Sequence, residues 1–305
     1  MESAFAPAHI TGILEVPTDV HDPLRQGSLG AGFSIERGVT TEVRTKRDSL
    51  SSIRVRINGS PTSSAEVSES VARRMLQMIG LNYEILIDHF VRVPIGAGYG
   101  SSGSASLSLA LALNESLGLG LAINEAGQIA HLAEIECGTG LGTVLAELYG
   151  GTEIRISSGA PGVGKISKFH LGRKRVAGTI CFGPLETKRV ISDPELVGKI
   201  NLIGRPALRT LIQDPSVDLF LELARKFSVA LGLMSDRLLD IQNYAESCGL
   251  VCGMGLFGET LFSLITEDSR DEFDRIVTKD RSFQTLRSRP EIIFSRIDNQ
   301  GARLL

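Results

Sequence analysis

The sequence predicts a two-domain protein of the α+β or mixed α/β class, and three observations lead to this fold class. A chain of 305 residues, of which 42% are hydrophobic and 22% charged, is long and apolar enough for two packed domains. In the first half, strand and helix periodicities interleave, as in mixed α/β layers. In the second half, helical segments surround short strands, which is typical of an α+β sandwich. We expect an N-terminal domain over residues 1–172 and a C-terminal domain over residues 173–305.

The N-terminal elements follow from alternation and amphipathicity. Alternating polar and apolar residues indicate strands, and apolar residues at helical spacing indicate helices that end at glycine. These criteria predict strands at residues 39–45, 52–57, 83–93 and 152–157, and helices at residues 64–80, 124–137 and 144–149. A further apolar helix follows residue 100. The segment PAHITG around His9 is interpreted as a turn in which His9 is no more than a structural hydrogen-bonding group.

The C-terminal elements follow from the same criteria. They are strands at residues 176–182, near 251, at 261–266 and at 292–297, and helices at residues 193–211, 217–241 and 270–277. Helices that cover one face of a short antiparallel sheet would bury both apolar faces.

The stretch PIGAGYGSSGSA, residues 94–105, carries the clearest functional signal. Gly96, Gly98 and Gly100 alternate directly before the apolar helix. Glycines let a backbone approach an anion, and a helix N-terminus offers unpaired N–H groups and the positive end of a dipole. The stretch therefore predicts a phosphate-binding loop, and the alternative is a turn before an ordinary buried helix. The G-x-G-x-G spacing fits neither the dinucleotide fingerprint nor the Walker loop.

Three serines accompany these glycines. Ser101 and Ser102 begin the predicted helix, and Ser104 lies just inside it. Their hydroxyls are suited to capping the helix or to binding a magnesium ion or a phosphate oxygen.

Composition disfavours several classes of function. A net charge of −3 with mixed signs provides no basic surface for nucleic acid, and no apolar run of 18 residues occurs. The N-terminal segment lacks the basic and apolar regions of a secretory signal, so we expect a soluble cytoplasmic protein. Four scattered cysteines and five histidines without metal-ligand spacing favour reduced thiols and no tightly bound transition metal.

The glycine-serine stretch resembles the second motif of the GHMP small-molecule kinases, P-x-x-x-G-x-G-S-S-x. Within that superfamily the chain is most similar to the archaeal enzymes that phosphorylate pantoate. The similarity extends over nearly the full length. Besides the loop it rests, in chain order, on FAPAHITG, DPLRQGSLGAG, AHLAEIECGTGLGTV, GAPGVGKI, ISDPELVGKINLIG and CGMGLFGETLF. Seven ordered blocks are far more specific than one glycine loop.

The resemblance implies a fold and a reaction. The fold would be the two-domain GHMP kinase fold, with βαβ elements in the N-terminal α/β domain and a ferredoxin-like C-terminal domain. The reaction would transfer the γ-phosphoryl group of ATP, with Mg²⁺, to the primary hydroxyl of pantoate, giving 4-phosphopantoate for coenzyme A synthesis. A homodimer is also implied. The alternatives are a kinase for mevalonate or mevalonate 3-phosphate, and a nucleotide-binding relative that has lost catalysis.

The resemblance also assigns residues to this reaction. The loop from Pro94 through Gly96, Gly98, Gly100, Ser101 and Ser102 would hold the phosphates of ATP. Ser104 matches the family's loop serine for ATP or magnesium, and Glu134 matches its magnesium-binding glutamate, with Glu136 as the local competitor. His21, Ser28 and Arg155 match positions that bind substrate or nucleotide.

One position departs from the family pattern. Where the resemblance places an aspartate that acts as a base or orients the acceptor hydroxyl, this chain has Thr143. Threonine takes up no proton at neutral pH, so three alternatives stay open: catalysis by positioning and electrostatics, a different substrate, or lost activity. Glu147 and Asp22 are the nearby acids that could compensate.

Overall fold

The computed structural model describes residues 1–171, 174–185, 193–278 and 290–305. The boundary that we expect at residue 172 lies outside the described residues and stays a prediction. The first elements are β1 (Glu2–Glu15), β2 (Leu29–Arg47), β3 (Ser52–Ile57), β4 (Ser60–Thr62), α1 (Glu66–Ile79), β5 (Tyr83–Val91), α2 (Ser101–Leu117), α3 (Ile123–Cys137), α4 (Thr143–Tyr149), β6 (Thr152–Ser157) and β7 (Lys165–Ser167). The later elements are β8 (Arg175–Pro184), α5 (Pro194–Gln213), α6 (Val217–Leu231), α7 (Asp236–Ser247), β9 (Gly253–Met254), β10 (Gly258–Thr266), α8 (Arg270–Val277), β11 (Glu291–Arg296) and β12 (Arg303–Leu304).

The larger sheet has the strand order β12-β1-β2-β5-β3-β4, and β6 and β7 extend it from β2. Its pairings are antiparallel except for β3 and β5, which run parallel and are connected through α1. This connection is the predicted βαβ element, since parallel neighbours need a crossover. Helix α2 packs against β1 and β2, and α1 and α3 pack against α2. The predicted phosphate-binding loop therefore leads into a helix that packs on the central strands of the sheet.

Strand β1 corrects the interpretation of PAHITG as a turn. His9 lies in the middle of a 14-residue strand that pairs with β2. Proline and glycine obscure the strand pattern, and the pairing register shifts between Pro7 and Ala8 and between Thr11 and Ile13. Such irregularities let a strand include residues that disturb a regular ladder, and they also re-aim side chains.

The C-terminal sheet has the order β11-β8-β10-β9 and is antiparallel, with α7 and α8 packed on it. The single helix predicted over residues 217–241 is wrong, because the structure contains two. Gly232 ends α6 in the left-handed conformation, with a φ of 70°, and Ser235 caps α7 through a bond to the amide of Leu238. A residue in the left-handed region is a common helix end, and glycine adopts it without a steric penalty.

A shared apolar core connects the two sheets. Phe33 of β2 contacts Phe262 of β10 and Phe220 of α6, with ring centroids 5.3 and 6.3 Å apart. Helix α5 approaches β1 so closely that a Cβ on Gly204 would lie 1.8 Å from the Leu14 carbonyl oxygen. Within the ranges that the structure describes, no helix combines the length and hydropathy needed to cross a bilayer.

Candidate active site

The predicted phosphate-binding loop adopts the conformation that its glycines suggest. Gly96, Gly98 and Gly100 have φ values of 70°, 85° and 63°, and Gly100 is the N-cap of α2. No side chain caps this helix, so the serines do not act as caps. The first helical bond joins the Ser104 amide to the Gly100 carbonyl. The amides of the preceding turn have no partner within the helix and lie where an anion is stabilised.

The C-terminal segment CGMGLFG packs against this loop. Thr260 donates a hydrogen bond to the Ala97 carbonyl oxygen at 2.8 Å, and a Cβ on Gly258 would lie 1.9 Å from that same oxygen. A Cβ on Gly98 would in turn lie 2.8 Å from the Gly255 carbonyl oxygen. The glycines of both segments thus permit backbone contact between the two parts of the protein.

Two cavities adjoin the loop and share part of their lining. Both are lined by Ser101, Ser102 and Thr139. The first cavity is lined in addition by His9, Thr11, Leu14, Ser28, Gly96, Gly98, Tyr99, Gly100, Gly103, Glu134, Gly140, Leu141, Thr143, Arg155, Leu256 and Phe257. The second is lined in addition by Ile57, Ser64, Ala65, Glu66, Val67, Ser68, His89, Val91, Ile95 and Ala105. We call the first the acceptor cavity and the second the nucleotide cavity, after the roles that are proposed for them below. The arrangement allows two ligands to meet at the start of α2.

Glu134 lies at this junction as a buried carboxyl group. Its Oε1 accepts a 2.5 Å hydrogen bond from the Ser102 hydroxyl, and its Oε2 has no hydrogen-bond partner among the described residues. Burial raises the pKa of Glu134 to about 7, against the opposing effect of the nearby Ser102 and Thr139 hydroxyls. A buried carboxylate with a free oxygen beside a hydroxyl is a donor set that fits Mg²⁺. Gly140 makes room for this oxygen, because a Cβ there would lie 2.3 Å from Oε2.

The competitor Glu136 has a different environment. Its carboxylate is exposed and accepts hydrogen bonds from Arg74 at 2.8 Å and from Ser70 at 2.7 Å. These bonds lower the pKa of Glu136. Of the two glutamates, only Glu134 lines the acceptor cavity.

Ser104 lines neither cavity. Its buried hydroxyl is 2.9 Å from the Pro7 carbonyl oxygen and 3.2 Å from Oε1 of Glu147. Glu147 is itself fully buried, and its Oε2 finds no hydrogen-bond partner in the described part of the chain. Burial, reinforced by the charge of Glu134, raises the pKa of Glu147 well above its ordinary value. These two residues form a polar layer between α2, α4 and β1.

A second polar group forms one wall of the acceptor cavity. Glu153 accepts hydrogen bonds from His9 Nε2 at 2.7 Å and from Arg155 Nη1 at 2.8 Å. Thr11 Oγ1 lies 3.3 Å from His9 Nδ1 and 3.5 Å from Arg155 Nη2. Burial lowers the pKa of His9, whereas Arg155 and His9 lower the pKa of Glu153 despite its burial. Arg155 Nε is buried and has no hydrogen-bond partner within the described ranges, so this donor of the guanidinium is unused.

The remaining predicted residues differ in their placement. Thr143 is the first residue of α4 and lines the acceptor cavity, as does buried Ser28. His21 is exposed in the connection between β1 and β2 and lines neither cavity. Pro94 is the first residue of the loop and contributes to neither cavity wall. The structure therefore brings together Glu134, Thr143, Arg155 and Ser28 with the loop, and it does not bring His21 or Pro94 to them.

Sequence reasoning missed several residues that line the acceptor cavity or hold its lining residues in place. Glu153 shares a strand face with Arg155, so the alternation that places Arg155 also places Glu153, and this signal was present in the sequence. The places of Thr11 and His9 in the cavity wall were hidden because PAHITG was interpreted as a turn. Tyr99, whose hydroxyl bonds to Thr179 Oγ1 at 2.7 Å, had no signal at all.

Comparison with known proteins adds to this geometry. The chain is 32% identical to the pantoate kinase of Thermococcus kodakarensis, over 90% of this chain and 91% of that enzyme. It is 31% identical to the pantoate kinase of Methanocaldococcus jannaschii, over 88% and 94% of the two chains. The chain belongs to the pantoate kinase family. The family model for the GHMP kinases N terminal domain matches residues 66–151 of this pantoate kinase family member.

Solved structures confirm the predicted fold. A phosphotransferase related to the CoA biosynthesis pathway is 28% identical to this pantoate kinase family member and superposes with a TM-score of 0.86 over 99% of this chain and 98% of that chain. The mevalonate diphosphate decarboxylase of Staphylococcus aureus, at 16% identity, shares the fold with a TM-score of 0.73 over 100% and 97% of the two chains. The family model includes the loop, Glu134 and Thr143 but leaves out His9 and Arg155, which line the other wall of the acceptor cavity.

Proposed function

We propose that this protein transfers the γ-phosphoryl group of ATP to the primary hydroxyl of pantoate, giving 4-phosphopantoate. The observation that carries the proposal is the meeting of two cavities at Ser101 and Ser102, beside the buried Glu134 carboxyl. Phosphoryl transfer needs a donor and an acceptor in line across one phosphate, with positive charge around it. The start of α2 provides unpaired amides at that point.

The nucleotide cavity suits the base and ribose of ATP. Apolar side chains of Ile57, Val67, Val91 and Ile95 line it, and it ends at the serines that begin α2. A flat base buries its faces against apolar side chains, and the phosphates then reach the amides of the loop. This placement directs the γ-phosphate towards the acceptor cavity.

Magnesium would be held by Ser102 and Glu134, which combine a hydroxyl and a carboxylate with one free oxygen. A bound Mg²⁺ would neutralise charge on the transferred phosphoryl group. We assign the ligand role to Ser102 rather than to Ser104, because the Ser104 hydroxyl faces Pro7 and Glu147 behind the loop. Ser104 is then a support for the loop.

The acceptor cavity suits a hydroxy acid. Arg155 has an unpartnered Nε for a carboxylate, and Thr11 and Ser28 provide hydroxyls for the alcohol groups. Thr143 can orient the acceptor hydroxyl through a hydrogen bond but cannot remove its proton. Catalysis here rests on positioning and on electrostatic stabilisation, which a loose phosphoryl-transfer transition state permits.

An assay of ATP consumption with Mg²⁺ tests the proposal against pantoate, mevalonate, mevalonate 3-phosphate and homoserine. We expect turnover with pantoate, with 4-phosphopantoate identified by ³¹P NMR. If only another acid is phosphorylated, that acid is the substrate and the pantoate assignment is wrong. ATP binding without turnover on any acceptor would favour a nucleotide-binding protein.

Four variants test the site itself. Glu134→Gln and Ser102→Ala should raise the Mg²⁺ concentration needed for half-maximal rate and lower kcat by on the order of 10²-fold or more, because each removes a ligand. Glu136→Gln is the matched control, two residues along the same helix, and should leave the rate unchanged. Ser104→Ala should leave the Mg²⁺ requirement unchanged. If Ser104→Ala raises the Mg²⁺ requirement and Ser102→Ala does not, Ser104 is the ligand and our assignment to Ser102 is wrong.

The homodimer and the cytoplasmic location that we expect from the sequence remain predictions. Light scattering of the purified protein at micromolar concentration tests the first, and cell fractionation tests the second.

A further inference from the structure

Four buried side chains beside the acceptor cavity form a closed ring of hydrogen bonds. Glu153 Oε1 accepts from Arg155 Nη1 at 2.8 Å and from His9 Nε2 at 2.7 Å. Thr11 Oγ1 closes the ring, because it lies 3.5 Å from Arg155 Nη2 and 3.3 Å from His9 Nδ1. His9, Thr11 and Arg155 line the acceptor cavity, whereas Glu153 lines neither cavity. Glu153 therefore holds lining residues without forming part of the lining.

The hydrogen of each bond in this ring can be assigned. Burial raises the pKa of Glu153, but Arg155 and His9 outweigh it and bring the pKa below its ordinary value, so the carboxylate only accepts. His9 Nε2 therefore carries a hydrogen. Burial lowers the pKa of His9, so the ring is neutral at neutral pH and its bare Nδ1 accepts from Thr11. Thr11 has then used its one hydrogen and accepts from Arg155 Nη2.

The two bonds to Glu153 are the strong ones in the ring. Both are short and end on a carboxylate, and hydrogen bonds to an ionised group are about twice as strong as neutral ones. The two bonds of Thr11 are longer than the usual range of about 2.7–3.2 Å and contribute less. Glu153 is therefore the group that chiefly fixes the Arg155 guanidinium.

Two glycines of β2 make room for the ring. Gly30 and Gly32 pair with Arg155 and Glu153 across the sheet. A Cβ on Gly30 would lie 2.3 Å from Arg155 Nη2, and a Cβ on Gly32 would lie 2.7 Å from His9 Cε1. The side chains of Arg155 and His9 thus lie directly against glycine backbone, which confines them on this side.

We infer that Glu153 is a positioning residue for the acceptor, because it holds the Arg155 guanidinium in one orientation at the wall of the acceptor cavity. Both terminal nitrogens of Arg155 are bonded within the ring, so its unused Nε stays in one place. A group that is held in advance loses less conformational entropy when it binds a ligand. This inference rests on the proposed function, in which Arg155 binds the carboxylate of the acceptor.

Positioning and simple electrostatics predict opposite effects when the charge of Glu153 is removed. A negative charge beside Arg155 by itself disfavours a second anion there. If charge alone mattered, Glu153→Gln would tighten acceptor binding. If Glu153 positions Arg155, Glu153→Gln should weaken acceptor binding, because neutral hydrogen bonds replace two charge-assisted ones.

Steady-state kinetics with pantoate, together with titration calorimetry of ATP, tests the inference. We expect Glu153→Gln to raise the KM for pantoate by about tenfold or more, the size of one charge-assisted hydrogen bond, and to leave the affinity for ATP unchanged. In an Arg155→Ala background the same change should have no further effect on kcat/KM, because Glu153 acts through Arg155. Glu84→Gln is the matched control and should keep the wild-type KM, since Glu84 bonds to Arg54 in the same sheet and lines neither cavity.

A second variant covers the case in which Glu153→Gln does not fold. Glu153→Asp keeps the charge and shortens the side chain by one methylene, so it should raise the KM for pantoate by less than Glu153→Gln. An unchanged KM in Glu153→Asp would then count against the inference.

The outcomes separate the inference from the proposed function. An unchanged or lower KM in Glu153→Gln would overturn the inference, and so would an equal loss of ATP affinity, which indicates a general structural role. Additive losses in the double variant would show that Glu153 acts independently of Arg155. If the wild-type protein phosphorylates no acceptor at all, the proposed function fails and the inference fails with it.

Discussion

At the scale of single residues, the environment decides what chemically identical side chains do. Glu134 and Glu136 lie two positions apart on α3, yet one is buried at the junction of two cavities and the other is exposed beside Arg74. Burial penalises the charged form of a carboxyl group, and an adjacent guanidinium favours it. The pKa of Glu134 is therefore raised and that of Glu136 lowered.

The raised pKa of Glu134 predicts a pH-dependent stability in metal-free protein. The unfolded carboxyl releases its proton near pH 4.5 and the folded one near pH 7, so the folded state binds more protons between these values. Stability should fall as the pH rises through this window, and Glu134→Gln should regain up to about 3 kcal/mol of unfolding free energy at pH 8. At pH 4 the two proteins should be alike.

Urea unfolding in EDTA at pH 4, 6 and 8 measures this difference. Glu136→Gln serves as the control and should show no gain at high pH, because its carboxylate is exposed and paired. A Glu134→Gln variant that gains nothing at pH 8 would mean that the folded carboxyl is ionised throughout.

Thr143 gives a second prediction at this scale. The resemblance places an aspartate here, and the structure places Thr143 on the wall of the acceptor cavity. Thr143→Asp should raise kcat on pantoate by about tenfold or more, since a positioned base contributes on the order of 10²–10⁴-fold. Thr143→Asn has the same shape without a base and should give no rise. An unchanged or lower rate in Thr143→Asp would indicate a site re-specialised around threonine.

At the scale of elements, the packing of α2 against α4 depends on a missing side chain. A Cβ on Gly103 would lie 2.6 Å from both Glu147 Oε2 and Thr143 Oγ1. The glycine thus lets the start of α2 approach the buried carboxyl of Glu147 and the hydroxyl of Thr143, which lines the acceptor cavity. Gly198 of α5, by contrast, has free space around it, because no atom lies within 4 Å of the position that a Cβ would occupy.

These two helical glycines form a matched pair. Gly103→Ala should destabilise the protein by about 1–3 kcal/mol, because the added methyl group overpacks a closed contact. Gly198→Ala should stabilise it by about 0.5–1 kcal/mol, because alanine is the better helix former where space is free. Thermal unfolding of both variants measures the two changes in stability. Equal changes would mean that α2 and α4 can move apart to accommodate the added methyl group without loss of stability.

At the scale of the whole molecule, β1 and β2 hold the two parts of the protein together. The face of these strands that does not contact α2 packs against α5, α6 and β10 through an aromatic cluster that includes Phe33, Phe220 and Phe262. The loop lies at the edge of this shared core, where Thr260 and the glycines of the C-terminal segment contact it. A site built from both parts requires that they fold as one unit.

This shared core predicts a single cooperative unfolding transition. Phe220→Ala should lower the unfolding free energy by about 3–5 kcal/mol through cavity formation, and it should shift the whole transition. Val229→Ala, at an exposed position of the same helix, should change it by less than about 0.5 kcal/mol. Scanning calorimetry distinguishes the cases: two separate transitions, of which Phe220→Ala moves only one, would mean that the parts fold independently.

The sequence by itself determined the local features whose cause is local. They are the left-handed glycines before α2, the strand at Ser52–Ile57, the helix at Arg270–Val277 and the position of Glu134 on α3, which follow from glycine chemistry, residue period and motif order. These signals survive because backbone sterics and side-chain spacing act between near neighbours. Full-length motif order also gave the fold class, which the solved relatives confirm.

Only the tertiary structure decided which residues share a site. It converted the turn around His9 into a strand, joined His9 to Glu153 across 144 positions, and took Ser104 and His21 away from the cavities. It also selected Glu134 over Glu136. Burial and the direction of a side chain depend on partners distant in the sequence, and these partners set the pKa values and free hydrogen-bonding atoms from which the chemistry of the site follows.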